Sequence, residues 1–235
     1  MFNIKQKAIA LIENRVGKTG RVLGVRHWEP GGFVEIDLHL PDIDMYRFSS
    51  VQHIKCRVAP AQYRDYTIAG WDAETHTCTL YIHTAHAGAG SNWANNLEEG
   101  DEIVYLGVSG SVHSATERST LLCLGDASTI GHYWALQQLA HSGRANLCGA
   151  IALDHEAYCG QLNDYLRMNV QPLLQTDAGG ETVLLQWMQQ ELLKRQHEDV
   201  TVYVAGYSPA VATLRRQLRS LRYGGALVKA QAFWS

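Results

Sequence analysis

Two rhythms of apolar and polar positions divide this chain. From residue 20 to about residue 108 the period is two: Val34, Ile36, Leu38 and Leu40 alternate with Glu35, Asp37 and His39, as in a strand with one dry and one wet face. Segments 21–29 and 33–40 are predicted strands joined by Pro30-Gly31-Gly32, a hairpin signal. Segments 51–58, 63–71, 77–84 and 102–107 supply four more, with a turn at 72–75. Six short strands at this spacing predict a closed or nearly closed antiparallel barrel. Ahead of them, 3–15 reads as an amphipathic helix with Ile4, Ala8, Leu11 and Ile12 on one face, ended by Gly17 and Gly20.

Beyond a Ser/Gly-containing linker at 109–116 the rhythm changes. Apolar runs at 120–124, 147–153, 170–174, 200–205 and 226–232 alternate with helical patterns at 128–141, 158–166, 182–196 and 209–221. Strand and helix in alternation, with strands apolar throughout, predict a parallel sheet covered on both faces. The expected fold class is therefore β followed by α/β: a helix over 1–17, a six-stranded antiparallel barrel over 18–116, and a parallel α/β domain over 117–235. Ligands of such sheets bind beyond the carboxyl ends of the strands. Here those ends carry Gly125-Asp126-Ala127-Ser128 and Gly206-Tyr207-Ser208-Pro209.

Composition narrows the classes of function. With 235 residues, 46% hydrophobic and 18% charged, the chain can bury a core and is not disordered. A formal charge of −3 provides no general field for nucleic acid or an acidic membrane. The five cysteines, Cys56, Cys78, Cys123, Cys148 and Cys159, are widely spaced and never form C-x-x-C, which favours a reducing compartment over a disulfide framework. Eleven histidines are scattered; His83 and His86 have the nearest useful spacing but no acidic or thiol partner, so no metal site is expected. No stretch reaches the roughly 18 apolar residues of a membrane helix, and the protein is expected to be cytoplasmic without membrane insertion.

Candidate chemistry centres on Tyr63-Arg64-Asp65-Tyr66-Thr67. On a strand Arg64 and Tyr66 share a face, while Thr67 turns the other way. A guanidinium meets phosphates through a planar fork, a tyrosine ring stacks on a flat ring, and a threonine hydroxyl can donate to a ring nitrogen. The trio suits a cofactor with a flat ring at one end and a pyrophosphate at the other; it equally describes an exposed polar strand. Downstream, 86–97 is a glycine-rich loop entering a short helix. Gly88 and Gly90 permit close backbone approach, Ser91 is a natural N-cap, and free N–H groups at a helix start attract phosphate. The plainer alternative is a connection with a capped helical turn.

In this order the residues resemble the flavin-binding half of the ferredoxin-reductase superfamily, and within it the siderophore-interacting proteins, flavin-dependent ferric-siderophore reductases. The resemblance is carried by His53-Ile54-Lys55 before Arg64-Asp65-Tyr66-Thr67, by Gly88-Ala89-Gly90-Ser91-Asn92-Trp93-Ala94, and by Glu99-Gly100-Asp101. Leu124-Gly125-Asp126, Ala205-Gly206 and the terminal pair Phe233-Trp234 extend it over roughly residues 18–235. It implies FAD as cofactor. Arg64 would contact the pyrophosphate, Tyr66 would stack on the isoalloxazine and Thr67 would bond its edge. His83 and Thr84 would lie along the ring or adenine side, and Gly88, Gly90, Ser91, Asn92 and Trp93 would hold the phosphates. Phe233 or Trp234 would cover the opposite flavin face. The electron-donor site would involve Gly125, Asp126, Ser128 and Gly206, with NADPH, NADH or a reduced ferredoxin as donor. Here the chain departs from the family: Ala127 stands where an acid is common, Gly131 where a proline is, and Tyr207 where an acid follows Ala-Gly. The flavin half therefore matches better than the nicotinamide half.

The function implied is electron transfer through FAD to a ferric siderophore, releasing Fe(II), with binding, orientation and tuning as the protein's share. No nucleophile, paired carboxylates or metal cage is needed. Lys55, Arg57 and Lys229 are candidates for an anionic siderophore; the alternative is that they are solvated strand charges. Two other functions stay open: a general NAD(P)H–flavin or ferredoxin-type oxidoreductase, and a non-catalytic siderophore-binding protein on the same scaffold.

Overall fold

A computed structural model describes residues 17–115, 120–143, 145–176, 180–195, 199–220 and 227–235. The predicted helix over 3–15 and residues 116–119 of the connection lie outside them. The chain divides into two compact units, Met1–Ser111 and Val112–Ser235, described separately.

The first unit is an antiparallel sheet of seven strands, where six were expected. They are β1 (Lys18–His27), β2 (Phe33–His39), β3 (Gln52–Ala59), β4 (Gln62–Ile68), β5 (Gly70–Asp72), β6 (Thr77–His83) and β7 (Glu102–Gly110), in the order β4-β3-β7-β1-β2-β6-β5. The extra strand comes from the run predicted as one over 63–71. Ile68 and Ala69 are adjacent and both fully buried, which breaks the alternation. The Ala69 N–H donates to the Thr79 carbonyl at 2.9 Å, so the chain leaves β3, its partner along β4, and joins β6 along β5. Because β4 and β5 are consecutive yet sit at opposite edges of the sheet, the sheet curls into a half-barrel. Ile36, Leu38, Ile54, Cys56, Leu80 and Tyr105 are among the residues filling it. The wet face is partly closed too. Glu35 is 2% exposed because Arg26 Nη2 donates to it at 2.6 Å and Trp28 Nε1 at 3.2 Å, with Trp28 stacked on Phe33. One helix, α1 (Ala89–Asn95), interrupts the strands between β6 and β7.

The second unit is a parallel sheet of five strands: β8 (Thr120–Asp126), β9 (Asn146–Leu153), β10 (Gln171–Leu174), β11 (Val200–Tyr207) and β12 (Leu227–Trp234), in the order β10-β9-β8-β11-β12. A 3₁₀ turn, Ala127–Thr129, leads into α2 (Ile130–Gly143); α3 (Ala157–Gly160) runs into a π-helical turn, Gln161–Tyr165; α4 (Glu181–Lys194) and α5 (Ser208–Ser220) follow. On one face Leu122, Leu124, Val202 and Val204 pack with Leu184 and Met188 of α4 and Leu214 of α5. By alternation Leu121, Cys123 and Tyr203 point the other way and are also fully buried. Tyr133 of α2 donates to the carbonyl of Leu124 at 2.6 Å.

Candidate functional site

The register of β3 and β4 sets the first cluster. Ile54 stands opposite Tyr66 and Cys56 opposite Arg64, while Lys55 faces Asp65 and Arg57 faces Tyr63. Arg64 and Tyr66 therefore continue the inward stripe of Ile68, and Tyr66 packs on the barrel core. Lys55 and Arg57 fall on the opposite face, where Lys55 Nζ donates to Asp65 at 2.7 Å. Thr67 shares that face, opposite His53. Burial holds the His53 imidazolium below its ordinary pKa, with nearby Asp65 partly opposing.

Helix α1 meets β4 through a glycine. A Cβ on Gly90 would lie 2.7 Å from Tyr66 Oη and 3.4 Å from Arg64 Cγ, so only glycine lets the first turn rest on Tyr66. One turn on, Trp93 stacks on the Tyr66 ring with centroids 5.3 Å apart and planes 16° from parallel, and buried Ala94 anchors the helix. Arg64 Nη1 donates to the Tyr63 carbonyl at 2.8 Å, and the rest of the guanidinium is exposed. Ser91 was expected to cap α1. The helix instead begins at Ala89 with extended Gly88 at its N-cap and no side-chain cap, because the Gly88 carbonyl already accepts from the Asn92 N–H at 2.9 Å. Ser91 and exposed Asn92 lie inside the first turn.

Two hydroxyls here are buried without a hydrogen-bond partner among the described residues: Tyr66 Oη and Thr84 Oγ1. Burial pushes the Tyr66 phenol well above its ordinary pKa, with Cys56 adding and Arg64 opposing. Leaving a buried hydroxyl unsatisfied costs about 1–3 kcal/mol. Thr84 is fixed by its backbone N–H on the Gly32 carbonyl at 2.7 Å. His83 next to it sits edge-on to His86 with ring centroids 4.9 Å apart.

In the second unit Gly125, Asp126, Ser128 and Gly206 come together where β8 and β11 end. Asp126 Oδ1 accepts from the Ser128 N–H at 2.9 Å and the Ser128 hydroxyl at 2.5 Å; Oδ2 accepts from the Tyr207 N–H at 2.5 Å. At the end of β12 a one-residue register shift pairs Tyr207 with Trp234, their rings 4.3 Å apart, and turns Phe233 toward His132 at 5.2 Å. Lys229 Nζ lies 5.4 Å over the Tyr203 ring.

Sequence reasoning missed the fully buried pair His113 and His132, whose Nδ1 and Nε2 are 2.8 Å apart. A carbonyl only accepts, so His113 Nε2–H donates to Lys229 O at 3.2 Å, tying the connection after residue 111 to β12. Among the described residues no group of three or more His, Cys, Asp or Glu could hold a metal ion, and no helix is long and apolar enough to cross a membrane.

Neither a protein-family model nor a curated protein sequence matches the chain. Solved structures do. A siderophore utilization protein from T. fusca matches at a TM-score of 0.73 and 21% identity, over 93% of this chain and 92% of its own. A siderophore-interacting protein from Aeromonas hydrophila matches at 0.72 and 16%, over 93% and 91%. The ferredoxin reductase in carbazole 1,9a-dioxygenase matches at 0.73 and 17%, over 92% and 69%. The chain thus has the ferredoxin-reductase-like fold that siderophore-interacting proteins share.

Proposed function

We propose that the chain is an FAD-dependent reductase that passes electrons to a ferric siderophore and releases Fe(II). The observation that supports FAD most is the cluster on β4 and α1: a buried tyrosine hydroxyl without a partner among the described residues, an exposed guanidinium beside it, and a glycine whose missing Cβ leaves room for both. These residues fit the group. Arg64 would hold the pyrophosphate with Gly88, Gly90, Ser91, Asn92 and Trp93. Tyr66 would offer the isoalloxazine the face that Trp93 does not take, Thr67 would bond the ring edge, and His83 and Thr84 would line its side. The bound flavin supplies storage and one-electron release of electrons. The chain's residues would bind it, orient it and desolvate it. Iron as Fe(II) is held less tightly by hard oxygen donors, so reduction frees it.

The test is a reoxidation experiment. Protein reconstituted with FAD and reduced without oxygen should regain its flavin absorption on addition of a ferric siderophore, with Fe(II) appearing in a ferrozine-type colour assay. Reduced flavin that persists in the presence of ferric siderophore contradicts the proposal. The ion pair of Lys55 with Asp65 takes one cation from the candidate siderophore site. It favours, as a second function, a general flavin or ferredoxin-type oxidoreductase. Saturable reduction of free flavin without response to ferric chelates would select it. Tight ferric-chelate binding without reduction would instead select a siderophore-binding protein.

A further inference from the structure

In open α/β sheets a dinucleotide enters where the strand order reverses, beyond the carboxyl ends of the strands. In this sheet that place lies between β8 and β11. We infer that the crevice is closed by the chain's own groups and does not take a nicotinamide dinucleotide. As far as it concerns the proposed flavin, this rests on the function above: the flavin's reductant is then a donor that brings no nucleotide to the second unit.

Three features close the crevice. First, three donors placed to receive a phosphate are already used. The Ser128 N–H and hydroxyl, in the turn that opens α2, and the Tyr207 N–H across the gap all donate to Asp126. Asp126 is 4% exposed, so an anion entering there meets a buried carboxylate rather than free donors. Second, both glycines serve internal packing. A Cβ on Gly125 would overlap the Thr129 side chain and come within 3.0 Å of the Ala205 carbonyl, and one on Gly206 would run into the Asp126 carboxylate. Gly206 also has φ +112°, the left-handed region that frees its backbone to bring Tyr207 N–H onto Asp126. Neither glycine leaves space for a pyrophosphate, which is what glycines at such a turn provide in dinucleotide folds.

Third, the rim carries the wrong charge. The described segments following the strands, 125–129, 154–157, 175–176, 207–209 and 235, contain no Lys or Arg, whereas Asp126, Asp154 and Glu156 stand among them. Asp154 and Glu156 are exposed at the end of β9. A dinucleotide brings at least two phosphate charges, and the planar or point cations that normally hold them are missing from these segments. Tyr207, at the position where an acid was expected, brings no charge and sets its ring against Trp234 at 4.3 Å.

The experiment uses the full chain with and without FAD. NADH and NADPH are titrated under anaerobic conditions while flavin absorption is followed, and their binding is measured separately by calorimetry. Dithionite serves as the control reductant. The expected result is bleaching by dithionite, none by either nucleotide, and no saturable heat at concentrations up to about 1 mM, the weak end of specific affinity. Saturable heat, or nucleotide-dependent bleaching with a midpoint below that concentration, overturns the inference. Calorimetry reads nucleotide binding even where FAD is not retained, so failure of the flavin proposal and failure of this one are told apart. A Tyr207→Ala variant, which keeps its backbone N–H on Asp126, should remain equally unresponsive, because Asp126 closes the crevice from within. Nucleotide binding gained in that variant overturns the assignment to Asp126.

Discussion

Replacing Tyr66 by Phe removes one atom, and its consequences have opposite signs in the two states of the protein. Tyr66 Oη is buried and has no hydrogen-bond partner among the described residues, so in the ligand-free chain the hydroxyl is a cost of about 1–3 kcal/mol. Phenylalanine keeps the ring, its stack on Trp93 at 5.3 Å and its packing on the barrel core. The ligand-free variant should therefore melt higher, by about 2–4 °C per kcal/mol recovered in a chain of this size. The FAD-bound form behaves the other way. A hydrogen bond from this hydroxyl to the uncharged flavin end of the ligand, the end assigned to Tyr66, contributes roughly 0.5–1.5 kcal/mol, which at about 1.4 kcal/mol per tenfold is a loss of some 2- to 10-fold in FAD affinity. Calorimetric melting of the apoprotein and a fluorescence titration with FAD measure the two effects independently. A variant that melts lower than the parent and binds FAD within twofold of it refutes the assignment, since the hydroxyl would then be serving the protein and not a ligand.

Three further outcomes are expected. Arg64→Ala should weaken FAD retention by about 1.5–3 kcal/mol, the usual contribution of a charge-assisted contact, with little change in melting because the guanidinium is exposed; unchanged retention after gel filtration places the phosphate elsewhere. Gly90→Ala should weaken FAD binding and destabilise the first unit by about 1–3 kcal/mol through overpacking against Tyr66 Oη, read by denaturant titration, and equal stability would mean that Tyr66 yields freely. His53, held below its ordinary pKa by burial, binds fewer protons in the folded than in the unfolded state. Its contribution is thus fully present above the unfolded value of 6.5 and is lost as pH falls through the folded one. Melting temperature should drop between about pH 7 and pH 5, and His53→Gln should flatten that slope; an identical slope in the variant removes His53 as its source.

Much of this architecture is legible in the chain because each half has one dominant period. Alternation around Val34–Leu40 marks a strand of the curled sheet, and apolar runs such as 120–124 mark buried parallel strands. The strand count was misread where alternation itself fails: Ile68 and Ala69 are both buried because the chain changes partners there, a tertiary event that no local pattern encodes. The face shared by Arg64 and Tyr66 was readable, since strand geometry alone decides it. What a side chain touches was not. The ion pair of Lys55 with Asp65 appears only once the register places the two opposite each other. Ser91 looked like a cap until the helix began two residues earlier, at Ala89. That the Asp126 carboxylate joins Ser128 to Tyr207, far apart in the chain, was equally hidden. His113 and His132 gave no signal, as neither belongs to a periodic pattern that distinguishes a buried imidazole from a surface one.

The central claim is that β4 and α1 form an FAD site, and one titration tests it most directly. Purified protein, freed of bound ligand, is titrated with FAD while its tryptophan emission, to which Trp93 stacked on Tyr66 contributes, is followed. The account predicts saturable quenching at one FAD per chain and a sharp loss of that quenching in Arg64→Ala. Absence of saturable binding up to about 1 mM FAD, or binding indifferent to both Arg64 and Tyr66, would contradict it.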